Sequence, residues 1–336
     1  MTIASSDDAG SPALRTESPN PGMTKTAGYW LHLTRAIEEA GRRLYLQGRI
    51  PGSFYDGRGQ EATAVGAALA MAPDDVATPL IRDMGVHLVR GVTPSAVMRH
   101  YLGKSGGPME GRDGNIHLGS LEHGTVAMVS HLPEMLPVGL GVALARTWRG
   151  QPSAALCFCG DGAAAGGVWH ETLNLAALWN APLVVLVERN GWSYMTPERK
   201  YLPVERISDR AAGYGAQGRT VDGNDVFAVY DVIQTALDHA RDGGGVTVVE
   251  AFTYRMHGHG AHDSQRYVPE EDLERWRERD PLKVWRHRAE VDLAWSEHDQ
   301  SELEAEISLQ VTAALADAHA AAYPAADTLA ESVFAP

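Results

Sequence analysis

The spacing of apolar positions changes several times along the chain, and each change marks an element. From Met23 to Leu46 apolar residues recur at helical intervals (Trp30, Leu33, Ile37, Ala40, Leu44), which predicts an amphipathic helix. The stretch "GRIPGSFYDGRGQEATAVGAALAM" gives a glycine-rich loop running into a helix of small residues over 60–71. "HLPEMLPVGLGVALARTW" predicts a further helix whose small side chains allow close packing. The middle is the most regular part: strand "SAALCFC", turn "GDGAAAGG", helix "VWHETLNLAALWN", strand "APLVVLVE". "GAQGRTVDG" then leads to a helix at "DVFAVYDVIQTALDHAR" and a strand at "GVTVVEAFTYR". Strands alternating with helices of this length predict βαβ units, a parallel sheet and right-handed crossovers. After Pro269 the pattern turns polar and helical, ending in an alanine-rich segment over 297–322, and no internal repeat is visible. The expected organisation is a disordered tail over 1–24, an α/β domain over 25–290, and a helical C-terminal extension over 291–336.

Composition narrows the function classes. The chain has 336 residues, 44% hydrophobic and 21% charged, as expected of a globular protein with a real core. Its 35 glycines exceed the usual share of about 7%, which favours tight turns and close backbone approaches. A net charge of −14 argues against nucleic acid as a main partner, since a phosphate backbone needs a basic face. No apolar run approaches the roughly 18–20 residues needed to cross a bilayer, and no secretory signal opens the chain. A cytoplasmic protein without a membrane partner is expected. The two cysteines, Cys157 and Cys159, share one face of a strand and read as buried thiols rather than a disulfide.

Candidate chemistry sits where a parallel sheet collects its ligands, at the carboxyl ends of strands. One strand ends in Gly160-Asp161-Gly162, the next leads into Asn190, and a third runs through Arg255 into "HGHGAHD", which holds His257, His259, His262 and Asp263. Asp161 and Asn190 are about 30 residues apart, the length of one βαβ unit, so a carboxylate and an amide oxygen reach one sheet edge. Two hard oxygen ligands with room for phosphate oxygens and water suit Mg²⁺. The flanking glycines allow backbone approach, and the following helix offers its N-terminus to the same anion. Alone, "GDG" is a turn, and Asn190 before Gly191 is a turn residue. Together, on consecutive strands, they form a signal. The HxHxxHD spacing separately invites zinc, as in a metallo-hydrolase.

The run "GDGAAAGGVWHETLNLAALWNAPLVVLVERNGWSYMT" resembles the thiamine-diphosphate motif, and in detail the α subunit of the decarboxylating component of 2-oxo acid dehydrogenase complexes. "GRGQEATAVGAALAM", "DGNIHL", "SHLPEMLPVGLGVALA", "TVDGND" and "YRMHGHGAHD" extend the likeness in the family's order over residues 25 to 290. The resemblance implies an α/β thiamine-diphosphate-binding fold with a parallel sheet flanked by helices. It implies that Asp161, the Asn190 side chain and the Trp192 carbonyl hold Mg²⁺ on the cofactor diphosphate. Gly162, Ala163, Arg82 and Arg255 would contact the diphosphate, with Gly160 in the same turn. Ser130 and Leu132 would lie against the aminopyrimidine and thiazolium, Leu132 enforcing the bent cofactor shape. His259 would be the catalytic histidine, in a loop ordered by Asp263, and an imidazole suits proton donation to a leaving sulfur. Plainer readings stand beside these: Arg82 as a surface ion pair, Leu132 as core, and His257 and His262 as loop-ordering or solvent-facing groups.

The implied activity is oxidative decarboxylation of a 2-oxo acid, with acyl transfer to a lipoyl-bearing acyltransferase component. One α/β domain is too little for a whole site, so a β subunit in an α₂β₂ assembly would supply the pyrimidine-binding half and a glutamate. The chain departs from the pyruvate type, with Tyr55, Ile81 and Met84 where that type has His, Tyr and His. It departs from the branched-chain type in having Glu134-Met135 at the potassium-binding Thr-Gln pair. An apolar or branched acyl group is favoured. A specialised acyl transfer to a carrier protein, a zinc metallo-hydrolase and a non-catalytic scaffold are the rival readings. Against zinc, Ala261 occupies the place of the bridging acid in the HxHxDH pattern. Against a scaffold, Asp161, Asn190, Arg255 and His259 form a set a scaffold does not need.

Overall fold

A computed structural model describes residues 21–113 and 117–331. In chain order the helices and strands are α1 (Pro21–Leu46), α2 (Glu61–Leu69), β1 (Val76–Thr78), α3 (Met84–Val89), α4 (Pro94–Tyr101) and α5 (Met135–Trp148). There follow β2 (Ala155–Gly160), α6 (Gly167–Leu178), β3 (Leu183–Arg189), the short hairpin β4 (Trp192–Ser193) and β5 (Thr196–Pro197), and β6 (Gln217–Asp222). The chain ends with α7 (Val226–His239), β7 (Thr247–Phe252), α8 (Glu270–Arg277), α9 (Pro281–Leu293) and α10 (Glu297–Ala320). The expected tail lies outside the described residues up to position 20. Its last positions are helical, because Pro21 sits at the start of α1, where its fixed φ and missing N–H cost nothing.

The main sheet is parallel, in the order β1-β2-β3-β7-β6. Its central strands are buried on both faces, as alternation shows. Leu156 and Phe158 of β2 pack with α2 and α7, while Cys157 and Cys159 turn to the side of α5 and α6. Both cysteines are free and buried. Gly139 of α5 is needed at this layer, since a Cβ there would meet Cys157 Sγ at 2.0 Å. The expected parallel α/β arrangement is thus present, with helices on both faces. The sheet holds two strands that periodicity does not predict, β1 and β6. β1 has only three residues, and β6 is an edge strand with no fully buried position, so it carries no apolar signal.

A third layer is built on α1, whose buried face meets α4, α9 and α10 in one cluster that includes Ile307, Val311 and Trp285. The helical segment beyond residue 290 therefore shares a core with the first helix. Arg35 of α1 ties this layer together: it bonds Glu61 of α2 and reaches Asp280, the N-cap of α9, at 3.1 Å. Breaking a buried ion pair leaves an uncompensated charge, here Glu61, whose side chain is fully buried. Arg35→Met is expected to destabilise the chain by about 3–5 kcal/mol in urea unfolding. A loss below about 1 kcal/mol would mean that the pair is decorative.

Candidate active site

β2, β3 and β7 are neighbours in the sheet, so the residues just beyond their ends meet at one edge. Asp161, Asn190 and Arg255 line a common open cleft of about 580 Å³ there, together with Arg82, Leu132 and His259. Backbone amides fix Asp161: Oδ1 accepts from Gly162 at 2.7 Å and Oδ2 from Gly191 at 3.0 Å. Gly191 adopts φ 82°, a left-handed turn that sends the chain from β3 into the β4–β5 hairpin. Gly162 is required for a different reason, since a Cβ there would lie 2.3 Å from Ser193 Oγ.

Asn190 is oriented through a buried relay. Its Nδ2 donates to Gln60 Oε1 at 3.0 Å, and Gln60 Nε2 donates to Glu188 Oε1 at 3.1 Å. With Nδ2 committed, the oxygen Oδ1 is left on the side of the hairpin, where the Trp192 amide donates to it at 3.2 Å. Trp192 lines the cleft and stands in register with Pro197, which has no N–H to give to a carbonyl opposite. Behind Glu188 lies Asp83, fully buried. Burial, and then the facing Glu188, push the Asp83 carboxyl well up, and burial raises Glu188 as well.

The charges in the cleft are poorly satisfied by the protein alone. Arg82 donates to the carbonyls of Asp56 at 2.7 Å and His259 at 2.6 Å, and Arg255 donates to the Tyr267 hydroxyl at 2.7 Å and the His257 carbonyl at 3.1 Å. All four partners are neutral oxygens. Burial, and next the charge of Arg255, bring Arg82 down to about 10, and burial likewise lowers Arg255. On the other side of the cleft, burial pushes the Asp161 carboxyl up to about 6, against the pull of its two amide donors. A buried carboxylate and two buried guanidiniums, none of them in a direct ion pair among the described residues, face one space. A divalent metal carrying a diphosphate answers both needs.

The histidine loop separates its three imidazoles. His257 Nδ1 lies 2.9 Å from Asp56 Oδ1. Burial works against ionisation of Asp56, but the His257 bond and the Arg82 charge hold its carboxyl below the usual range. His259 is flanked by Tyr55 and Tyr194, with ring centroids at 5.2 Å and 4.1 Å. Burial first, then the charges of Arg82 and Arg255, bring its imidazole down to about 4. His262 lies 6.4 Å from the Tyr55 ring. Asp263 orders the loop, accepting from the His259 amide at 2.7 Å and the Tyr267 hydroxyl at 2.6 Å. Among the described residues no group of three or more His, Cys, Asp or Glu side chains is placed to hold a metal ion, so the zinc reading finds no ligand set.

Gly160, Gly162 and Ala163 also line the cleft. Ser130 does not: its side chain is exposed, and its Oγ lies 2.7 Å from His117 Nε2. The sequence pattern does not single out Gln60, Glu188 or Tyr194. Gln60 lies in a glycine-rich loop and Glu188 at the end of a buried strand, where neither stands apart from its neighbours. The "WSYMT" turn that presents Tyr194 has no glycine or asparagine at its tip to announce it.

Comparison with known proteins gives a family and several relatives. The profile of the dehydrogenase E1 component family matches residues 29–327. The chain is 31% identical to the alpha subunit of an acetoin:2,6-dichlorophenolindophenol oxidoreductase of Bacillus subtilis (strain 168), over 93% of this chain and 95% of the relative. It is 34% identical to a 2-oxoisovalerate dehydrogenase subunit alpha of the same organism, over 90% and 92% of the two chains. It is also 34% identical to a pyruvate dehydrogenase E1 component subunit alpha of Rhizobium meliloti (strain 1021), over 80% and 77%.

Proposed function

The chain belongs to the dehydrogenase E1 component family, and from that membership we propose that it is the α subunit of a thiamine-diphosphate- and Mg²⁺-dependent enzyme. The proposed reaction is oxidative decarboxylation of an apolar 2-oxo acid, with the acyl group passed to a lipoyl arm. The observation that carries this reading is geometric: Arg82 and Arg255 spend their hydrogen bonds on neutral oxygens, and Asp161 accepts from two backbone amides, so among the described residues none of the three is in a direct ion pair although all face one cleft. Asp161, Asn190 Oδ1 and the Trp192 carbonyl would hold the metal. The guanidiniums of Arg82 and Arg255 and the amides of Gly162 and Ala163 would take the diphosphate. Leu132, on the cleft wall, would support the bent cofactor. Ser130 enters this reading only through its backbone, since its side chain bonds His117.

When bound, thiamine diphosphate supplies the electron sink for breaking the bond next to the oxo carbon. The chain's residues orient and protect that chemistry. Arg82 and Asp263 hold the backbone of His259 from two sides, which aims its imidazole at the cleft. As a neutral ring it accepts a proton at one nitrogen and can return it to a leaving sulfur. The pyrimidine-binding half and a catalytic glutamate would come from a β subunit in an α₂β₂ assembly, and a lipoyl-bearing acyltransferase would receive the acyl group. The acetoin-type relative favours a second reading, in which the donor is a hydroxyketone at the same cofactor site.

Thermal unfolding tests the cofactor site. With Mg²⁺ and thiamine diphosphate together at about a hundred times their dissociation constant, binding is expected to stabilise the native chain by about 2.7 kcal/mol. Either component alone should give much less, because each leaves one charge unanswered. Stabilisation by zinc and none by the magnesium–cofactor pair would sink the reading.

A further inference from the structure

The tip of the β4–β5 hairpin carries an unusual residue for its backbone. Tyr194 adopts φ 55°, in the left-handed region that asparagine or glycine enters at far lower cost. A strained residue persists where the surroundings hold it, and here they do. Ser193 packs against Gly162 in the GDG turn, Trp192 Nε1 donates to the Tyr254 hydroxyl at 3.0 Å, and Arg189 pairs with Glu198 at the hairpin's base at 2.9 Å. The strain presents the Tyr194 ring to the cleft, 4.1 Å from the His259 imidazole between centroids and tilted 43° to it. Tyr55 also meets the imidazole edge-on, at 5.2 Å between centroids. The imidazole shares the cleft with Tyr194 and the apolar side chains of Leu80, Ile81 and Leu132. Any acyl group whose reacting atoms come within hydrogen-bond reach of His259 must share that space with Tyr194. The ring is also 53% exposed, so its removal would open the mouth of the cleft without emptying the core.

We infer that Tyr194 sets the size of the acyl group this site accepts, its ring occupying the volume that a branched or longer chain would need beside His259. The inference rests on the reading of the cleft as a 2-oxo acid site. One extra methylene in an apolar pocket shifts discrimination about 10–200-fold, so a missing phenol ring has ample effect.

The test uses the chain purified together with its companion subunit and loaded with Mg²⁺ and thiamine diphosphate. Turnover of pyruvate, 2-oxobutanoate and 3-methyl-2-oxobutanoate is followed with a dye as electron acceptor, and acetoin is run alongside. In Tyr194→Ala the ratio of kcat/KM for 3-methyl-2-oxobutanoate to that for pyruvate is expected to rise about tenfold or more. Tyr194→Phe, which keeps the volume, should leave the ratio near that of the wild type. An unchanged ratio in Tyr194→Ala overturns the inference while the 2-oxo acid reading stands. So does a shift in Tyr194→Phe as large as that in Tyr194→Ala, since the hydroxyl and not the bulk would then discriminate. A wild-type complex that turns over acetoin and none of the 2-oxo acids overturns both.

Discussion

Asp161→Asn is expected to weaken binding of the magnesium–diphosphate pair about 100-fold or more while leaving the fold intact. Outer groups around a metal are worth about 10–100-fold in affinity, and a ligand that touches it should stand at the upper end. The substitution keeps the shape of the side chain and removes its charge. In the free chain that charge is a burden: burial raises the carboxyl to about 6, above its usual 3.8. A carboxyl raised on folding makes the native state bind more protons than the unfolded one, so stability falls as pH rises through that window. Neutralising it relieves this cost, which offsets the loss of one of the two amide bonds from Gly162 and Gly191. The cofactor-free variant should therefore melt near the wild type, while calorimetric titration shows the lost affinity. Near-normal affinity in Asp161→Asn would mean that the arginines hold the anion without help from a metal at this carboxylate.

The site was legible in sequence where chemistry and topology share one spacing. Asp161 and Asn190 end consecutive strands, so the length of one βαβ unit was enough to put them together, and Arg255 ends the next strand over. What the chain could not declare is the order of strands in the sheet. β7 inserts beside β3 while β6 takes the edge, and α7, which joins β6 to β7, packs against α2, a contact between segments far apart in the chain. The Asp83–Glu188 pair and its link through Gln60 to Asn190 were hidden for the same reason. Each acid looks like a solvated charge until the fold buries both. β6, polar along its length, lacked the apolar alternation that marks a strand. Tyr194 was hidden because the fold, and not the local sequence, forces its backbone into the left-handed region. The histidine loop was open to two readings, and neighbours distant in sequence decide between them. Asp56 takes His257, Tyr55 and Tyr194 pack on His259, and among the described residues the imidazoles form no metal-holding group.

His259→Ala is expected to lower kcat for acyl transfer about 10²–10⁴-fold, the usual worth of a positioned general acid or base, with cofactor affinity changed only a few-fold. The separation follows from the geometry. The backbone of His259 is what Arg82 and Asp263 hold, so alanine keeps the loop and loses only the ring. A pH signature goes with the kinetic one. In the cofactor-free chain the imidazole titrates at about 4 instead of 6.5, held down by burial and then by the charges of Arg82 and Arg255. Over that window the unfolded chain takes up a proton that the native chain refuses, so the ring costs stability as pH falls from about 6.5 towards 4. A diphosphate on the two guanidiniums cancels the charges that repel the proton. Binding should therefore move the His259 titration upward, towards the range where an imidazole exchanges protons during turnover. Histidine proton shifts recorded by NMR against pH, with and without magnesium and thiamine diphosphate, read this directly, His259→Ala assigning the signal. An upward shift on loading, together with a kcat loss and retained affinity, makes His259 the proton-handling group of the cleft. A titration that stays at about 4 in the loaded chain would leave the ring neutral and unable to donate, and the transfer step would then need its acid from the partner subunit.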